Sequence, residues 1–197
     1  MGKINNFNLN NLKSKYQIET FIETGFGNGD GLLYASQTDF SELYSIEIMQ
    51  CQIDMFGKVF DTDFRVKLLC GNTIEVLQTL LPKIKNNICF WLDAHFPGAD
   101  NPSPLHGKHD AEKNDDIRLP LEKELEVIKN LRKNYKDVIL IDDIKLYMNN
   151  GEFANWVPNI KPRQKFSSKE FFKEILLETH YFNYSDNDTG YGILTPL

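Results

Sequence analysis

The residues best suited to chemistry begin in a glycine-rich stretch, FIETGFGNGDGLLY, residues 21–34. After Glu23, glycine occupies every second position: Gly25, Gly27, Gly29 and Gly31. Backbone without side chains lets a ligand approach closely, and the free N–H groups of a following helix favour negative or electron-rich atoms. The stretch therefore predicts a site for a phosphate, a nucleotide or another ligand that packs against bare backbone.

Two well-known glycine motifs do not fit this stretch. A P-loop needs Lys and then Ser or Thr after its last glycine, and Leu32 and Leu33 stand there instead. A dinucleotide fingerprint that starts at Gly25 needs a third glycine at the position of Asp30. The P-loop class is rejected, and the dinucleotide match fails at its third glycine.

Three carboxylates stand at the ends of two apolar runs. Asp93 ends NICFWLD, while Asp142 and Asp143 end DVILIDD. If both runs are parallel strands, the carboxylates converge at one edge of the sheet, where they either take up protons or hold a hard cation such as Mg²⁺. The alternative is structural: one aspartate of the pair caps the following segment while the other pairs with Lys145.

The elements that must position these residues alternate between β-type runs and helical periods, which predicts an α/β fold. We expect a doubly wound, Rossmann-like, mostly parallel seven-stranded sheet with helices on both faces and a C-terminal antiparallel hairpin. The predicted strands are residues 20–23, 42–48, 65–70, 87–93 and 137–143, followed by the hairpin strands 180–185 and 191–195.

Helices are predicted at residues 30–36, at about 50–60, from Thr73, from Pro120 and from Ser167. Four residues are expected on the buried face of the fourth helix: Leu121, Leu125, Ile128 and Leu131. The long irregular stretch 94–118 and the aromatic stretch 147–166 are expected to form the substrate wall, because long connections above strand ends are usually functional.

Composition limits the classes of protein. The 197 residues, 41% hydrophobic, predict one domain over residues 1–197, with an N-terminal extension at 1–17. A net charge of −6 without a basic block argues against nucleic acid as a partner, and no apolar run predicts a membrane span. Three separated cysteines without a CxxC pair fit reduced thiols in the cytoplasm. The sequence leaves open whether the chain forms a homo-oligomer.

Glu23 is followed by the pattern G-x-G-x-G at Gly25, Gly27 and Gly29. With this pattern the chain resembles the class I S-adenosylmethionine-dependent methyltransferases, and the resemblance covers about residues 18–195. The resemblance implies that the glycine backbone packs against the methionine part of the cofactor and that Glu23 helps hold its amino group. It places Glu47 against the ribose hydroxyls, Asn72 against the adenine amine and Asp93 toward the transferable methyl group. Gly31 falls outside this contact set and is expected to serve helix packing.

The cofactor-binding set that the resemblance implies follows the ends of the strands. Asn72 has a second reading, as the N-cap of the helix that begins at Thr73. The full set is Glu23, Thr24, Gly25, Phe26, Gly27, Gly29, Glu47, Ile48, Asn72 and Asp93.

The pair after the fifth strand is similar to that of the metal-dependent O-methyltransferases of small molecules, in particular the macrocin type, which modifies sugar hydroxyls. The resemblance implies one divalent ion, Mg²⁺ or another, held by Asp93, Asp142 and Asp143, and a small-molecule or carbohydrate acceptor. Asp93 and His95 are the catalytic candidates. His95 is the predicted general base, and its alternative is a loop histidine bonded to backbone.

Two further classes remain open from the sequence alone. One is a nucleotide-dependent, NAD-type oxidoreductase on a Rossmann fold. The other is a non-catalytic binding protein that retains the methyltransferase fold, because a fold does not by itself imply a function.

Overall fold

The computed structural model describes residues 3–95, 117, 119–147 and 178–197. Within them the helices and strands are α1 (Leu9–Tyr16), β1 (Ile18–Thr24), α2 (Asp30–Ser36), β2 (Glu42–Glu47), α3 (Gln50–Phe56), β3 (Val66–Cys70), α4 (Thr73–Leu80), β4 (Asn87–Leu92), α5 (Leu121–Arg132), β5 (Val138–Ile141), β6 (His180–Ser185) and β7 (Tyr191–Pro196). Short 3₁₀ turns lie at Ile4–Asn6, Gly57–Phe60, Leu81–Lys83 and Ile144–Tyr147.

The strands of the described residues form one seven-stranded sheet in the order β3-β2-β1-β4-β5-β7-β6. The pairs among the first five strands are parallel, while β7 runs antiparallel to both β5 and β6. This confirms the predicted α/β sheet and its antiparallel C-terminal hairpin. The chain winds outward from β1 to β3 and then crosses to β4, so the ends of β1 and β4 flank the switch point where such sheets bind ligands.

Apolar side chains cover both faces of the sheet, as the prediction of helices on both faces requires. On one face α4 and α5 pack through Leu77 and Leu125. On the other face Leu9 of α1 and Leu32 of α2 join the core around Trp91. Because β4 and β5 are covered on both sides, they are apolar at almost every position.

The buried face of α5 differs from the prediction at one position. Leu131 is 41% exposed, and Arg132 beside it is 2% exposed. The guanidinium of Arg132 bonds both carboxylate oxygens of Asp137 and the carbonyl oxygens of Ile84 and Asn86. The buried, paired charge of Arg132 thus takes the inward position that the apolar pattern assigns to leucine, so the prediction for Leu131 is wrong.

The N-terminal extension forms elements that the sequence pattern does not predict. The helix α1 begins after Asn8, whose side chain accepts a hydrogen bond from the N–H of Asn11. Ile4 and Leu9 are buried in the core beside the sheet. The first residues of the described chain are therefore part of the folded structure.

Parts of the predicted substrate wall and the helix predicted from Ser167 lie outside the described residues. Of the stretch 94–118, the structure describes Ala94, His95 and Ile117. Among the helices that are described, none combines the length and the apolar character needed to cross a membrane.

Candidate active site

The end of β1 turns sharply through the predicted glycines. Gly25, Gly27 and Gly29 all have positive φ angles, of 82°, 52° and 84°. A Cβ atom added to Gly25 would lie 2.8 Å from the carbonyl oxygen of Asp93, whereas one added to Gly27 would have no heavy atom within 4 Å. Gly25 is therefore required by the close approach of two strand ends, while Gly27 borders open space.

Gly25→Ala is expected to lower the free energy of unfolding by about 2–4 kcal/mol, since it adds a steric clash to the cost of a left-handed alanine. Gly27→Ala is expected to lower it by about 1–2 kcal/mol, from backbone strain alone. Urea denaturation of both variants tests this. Equal losses would contradict the assignment of the close contact to Gly25.

Two buried glutamates lie beside the turn. Glu23 is 2% exposed, accepts a hydrogen bond from the hydroxyl of Ser45, and fills the space that a Cβ atom on Gly31 would need. Burial raises the pKa of Glu23 to about 8, and the charge of Glu47 adds to the effect, against the Ser45 hydrogen bond. Gly31 also lines the cavity described below, so it is more than the helix-packing residue expected from the sequence.

Glu47, the last residue of β2, and Asn72, which follows β3, each accept backbone hydrogen bonds at this edge of the sheet. Glu47 accepts hydrogen bonds from the N–H of Gly27 (3.1 Å) and the N–H of Met49 (2.9 Å). Asn72 is the N-cap of α4, because its Oδ1 accepts the N–H of Ile74 at 2.9 Å. The N-cap reading of Asn72 is confirmed, and its predicted contact with an adenine stays a prediction.

The ends of β1, β4 and β5 are tied to one another by backbone hydrogen bonds. The N–H of Asp93 donates to the carbonyl of Thr24 (3.1 Å), and the N–H of Asp142 donates to the carbonyl of Leu92 (3.0 Å). These bonds extend the parallel register beyond the strands. They bring the residues that follow β4 and β5 to the same edge as the glycine turn.

Asp93, His95 and Asp143 form a cluster whose ligand atoms all lie within 4.8 Å of one another. The Nε2 atom of His95 is hydrogen-bonded to Oδ2 of Asp143. Among the described residues, the other oxygen of Asp143, Oδ1, is buried without a hydrogen-bond partner. The backbone of Asp143 is left-handed, with φ of 52°, an unusual conformation for a residue other than glycine.

Asp142 lies beside this cluster and has local partners. Its Oδ1 accepts the N–H of Asp143 at 2.7 Å and the hydroxyl of Thr189 at 3.5 Å. The predicted alternative, in which one of the two aspartates pairs with Lys145, is not what the structure shows. The ammonium of Lys145 donates instead to the backbone carbonyls of Asp186 and Asp188.

The three aspartates have different affinities for protons. Burial raises the pKa of Asp93 well above its usual range, and the charge of Asp142 adds to this. Burial and the charge of Asp143 raise the pKa of Asp142 to about 7. Burial also opposes ionisation of Asp143, but the hydrogen bond and charge of His95 outweigh it, so that the pKa of Asp143 is lowered. The cluster therefore relieves its repulsion by holding protons, which a cation would displace.

One cavity of about 540 Å³ joins the glycine turn to the aspartates, a volume within the range of small-molecule sites. It is lined by most of the residues predicted from the sequence: Glu23, Gly25, Phe26, Gly27, Glu47, Ile48, Asn72, Asp93, His95, Asp142 and Asp143. Thr24 and Gly29 are next to this lining rather than in it, since Thr24 is fully buried and Gly29 packs against the ring of Phe26.

Sequence reasoning missed other residues that line this cavity. Trp91 and Tyr34 reach it from β4 and α2, where their apolar neighbours mark them as core. Lys3 and Asn5 reach it from the N-terminus, and no local pattern signals a contact so distant along the chain.

Known structures share this architecture. The O-methyltransferase TomG of Streptomyces achromogenes, involved in tomaymycin synthesis and crystallised with S-adenosylmethionine, matches at 16% identity with a TM-score of 0.61, over 95% of this chain and 77% of its own. An O-methyltransferase of Bacillus cereus, in complex with S-adenosylhomocysteine, matches at 14% identity with a TM-score of 0.61, over 96% and 79%. The methyltransferase PaMTH1 of Podospora anserina, bound to S-adenosylhomocysteine, matches at 15% identity with a TM-score of 0.57, over 94% and 75%.

No protein-family model and no curated protein sequence matches the chain. At these identities the likeness establishes the fold alone, which this chain shares with the methyltransferases named above.

Proposed function

We propose that the protein is an S-adenosylmethionine-dependent methyltransferase that methylates a hydroxyl group of a small molecule or sugar. The observation that carries the proposal is a single cavity that joins the turn at Gly25 and Gly27 to the cluster of Asp93, His95 and Asp143. The cofactor and product bound in the structures of similar fold support it.

The residues around the turn suit the three parts of the cofactor. Gly27 offers open backbone to the methionine part, and the buried carboxyl group of Glu23 borders the same space. The carboxylate of Glu47, which accepts the backbone N–H groups of Gly27 and Met49, lines the same cavity and suits the ribose hydroxyls as a hydrogen-bond acceptor. Asn72 and Ile48 line the same cavity and are the candidates for the adenine contact.

Cofactor affinity is expected to rise as the pH increases from about 6 to about 8. With a pKa of about 8, Glu23 holds a proton below that pH and must lose it to bind a cationic amino group, which costs up to about tenfold in affinity per pH unit. Above about pH 8 the amino group of the cofactor itself loses its proton, so the affinity has a maximum there. Isothermal titration at several pH values measures the profile.

Glu23→Gln cannot release this proton and is expected to lose the rising part of the profile. Glu19→Gln is the matched control, since Glu19 is exposed on the same strand. A wild-type affinity that stays flat or falls between pH 6 and pH 8 would show that the Glu23 proton is not linked to binding.

The proposed reaction needs an acceptor oxygen, a base and an in-line approach to the sulfonium. The oxygen attacks the methyl carbon, the carbon–sulfur bond breaks with its electron pair going to sulfur, and the hydroxyl proton leaves to a base. His95 is the candidate base, because its imidazole faces the cavity and its hydrogen bond to Asp143 fixes the ring. Asp93, between the turn and His95, is the residue expected to border the methyl group.

The donor set also fits a divalent cation. The buried Oδ1 of Asp143 lacks a partner among the described residues, and Asp93 and His95 place two more donor atoms within 4.8 Å. These three residues would hold the ion, and Asp142 would orient Asp143 through the hydrogen bond that its Oδ1 accepts from the Asp143 N–H. In that case His95 would be a metal ligand rather than the general base. When bound, the ion would lower the pKa of the acceptor hydroxyl. Two carboxylates and one imidazole suit Mn²⁺ as well as Mg²⁺.

Thermal-shift measurements with S-adenosylmethionine, S-adenosylhomocysteine and NAD⁺ test the cofactor class. The first two are expected to raise the melting temperature, because ligands that bind only the folded state stabilise it, and NAD⁺ is expected to leave it unchanged. Stabilisation by NAD⁺ alone would favour the oxidoreductase alternative instead.

A further inference from the structure

The first described residues fold back over the cavity as a short segment, residues 3–7, here called the N-terminal strap. The N–H of Lys3 and the side-chain amide of Asn6 both donate to the hydroxyl of Tyr191, at 2.9 Å. At the other end of the strap, the hydroxyl of Tyr34 donates to the carbonyl of Phe7 at 2.9 Å. The strap is therefore fastened both to the C-terminal hairpin and to α2, the helix that follows the glycine turn.

The cavity beneath the strap is strongly acidic. Among the described residues that line it, the carboxyl groups are Glu23, Asp30, Glu47, Asp93, Asp142 and Asp143. Against them, Lys3 is the one lysine or arginine among the described lining residues, and His95 contributes an imidazole that is already bonded to Asp143. Because the pKa values of Glu23, Asp93 and Asp142 are raised, the cavity carries less negative charge than six carboxylates would. These groups still offer an anionic part of a ligand no attraction, and Lys3 is the cationic residue among the described lining.

We propose that Lys3 binds the α-carboxylate of the cofactor's methionine end, an inference that rests on the proposed function. The methionine end carries an ammonium and a carboxylate on the same carbon, so it needs an anionic and a cationic partner close together. Glu23 is buried against Gly31 of α2, and the strap is bonded to Tyr34 of the same helix. Glu23 and Lys3 thus line one cavity beside α2, and the cofactor's two charges match theirs.

The size of the effect follows from the exposure of Lys3. An exposed lysine interacts through water and loses side-chain entropy on binding, so its contribution is modest, about five- to tenfold in affinity. The strap itself stays in place when the side chain is changed, because Lys3 is anchored through its backbone N–H.

The test compares two ligands that differ only in the carboxylate: S-adenosylmethionine and its decarboxylated analogue. Isothermal titration at low ionic strength measures both with wild type, Lys3→Met, Lys3→Arg and Lys83→Met. Lys83 is an exposed control with the same charge change, located before β4 at the opposite edge of the sheet. Lys3→Met is expected to weaken S-adenosylmethionine about five- to tenfold and to leave the analogue unchanged, whereas Lys3→Arg and Lys83→Met keep both affinities.

Several results overturn the inference. If Lys3→Met weakens both ligands equally, or neither, Lys3 does not bind the carboxylate of the cofactor. If both cofactor affinities persist and only the KM of an acidic acceptor rises, the carboxylate that Lys3 binds belongs to the acceptor. If wild type binds neither ligand, the proposed function fails and the inference with it, an outcome distinct from the loss of selectivity at Lys3 alone.

Discussion

Asp143→Asn is expected to weaken the binding of Mn²⁺ by about 100-fold or more, because even residues that only orient metal ligands contribute up to that factor. Asp143 supplies the buried Oδ1 that lacks a partner among the described residues, and its carboxylate is the one whose pKa is lowered. An amide keeps the shape of the side chain and removes its charge. Isothermal titration of Mn²⁺ into the protein measures the loss, and a melting curve verifies that the variant is folded.

Asp142→Asn is the matched control for this prediction. Asparagine keeps an Oδ1 that can accept the N–H of Asp143 and the hydroxyl of Thr189, the contacts that Asp142 makes in the structure. We expect it to weaken Mn²⁺ less than about tenfold, the lower end of the effect of an outer-shell residue. A greater loss in Asp142→Asn than in Asp143→Asn would restore the set predicted from the sequence, with Asp142 as a direct ligand.

Arg132→Met is expected to lower the free energy of unfolding by about 3–5 kcal/mol, since it leaves the buried carboxylate of Asp137 without its partner. The side chains of both residues are 1% exposed, and the Nε of Arg132 lies 2.8 Å from Oδ2 of Asp137. The guanidinium also satisfies the carbonyls of Ile84 and Asn86, which precede β4. Methionine fills much of the volume but supplies none of these hydrogen bonds.

Chemical denaturation measures this effect, with Lys133→Met as the control. Lys133 is the next residue, is exposed, and changes the charge by the same amount. Its replacement is expected to change the stability by less than about 0.5 kcal/mol. If Arg132→Met loses no more unfolding free energy than the control, then water or the N–H of Ile88 stabilises the Asp137 carboxylate well enough without the arginine.

Features set by local periodicity and by the ends of strands could be predicted from the sequence. Apolar runs such as NICFWL define parallel strands, and the residues directly after them must lie at the carboxyl edge of the sheet. The sequence therefore predicts that Glu23, Glu47 and Asp93 lie at one edge of the sheet, and all three line the cavity. The alternation of strands and helices likewise predicts the doubly wound sheet.

Features set by side-chain direction or by distant contacts could not be predicted. The structure brings His95 rather than Asp142 together with Asp93 and Asp143, and it gives Asp143 a left-handed backbone. No sequence pattern signals either feature. The apolar period assigns Leu131 to the core because it gives no weight to a charge that makes four hydrogen bonds, as Arg132 does. The cavity contact of Lys3 joins the first described residues to a site built around β1 and β4.

The most direct test of the central claim is transfer of an isotopic label. The protein is incubated with S-adenosylmethionine that carries a trideuterated methyl group and with a panel of polyhydroxylated and aromatic acceptors, with and without Mg²⁺ or Mn²⁺, and the products are analysed by mass spectrometry. We expect the label to appear on an acceptor oxygen with equal formation of S-adenosylhomocysteine, and we expect Asp93→Asn to abolish it. Tight binding of S-adenosylmethionine with no labelled product from any acceptor would contradict the proposed methyl transfer and favour a binding protein that retains the fold.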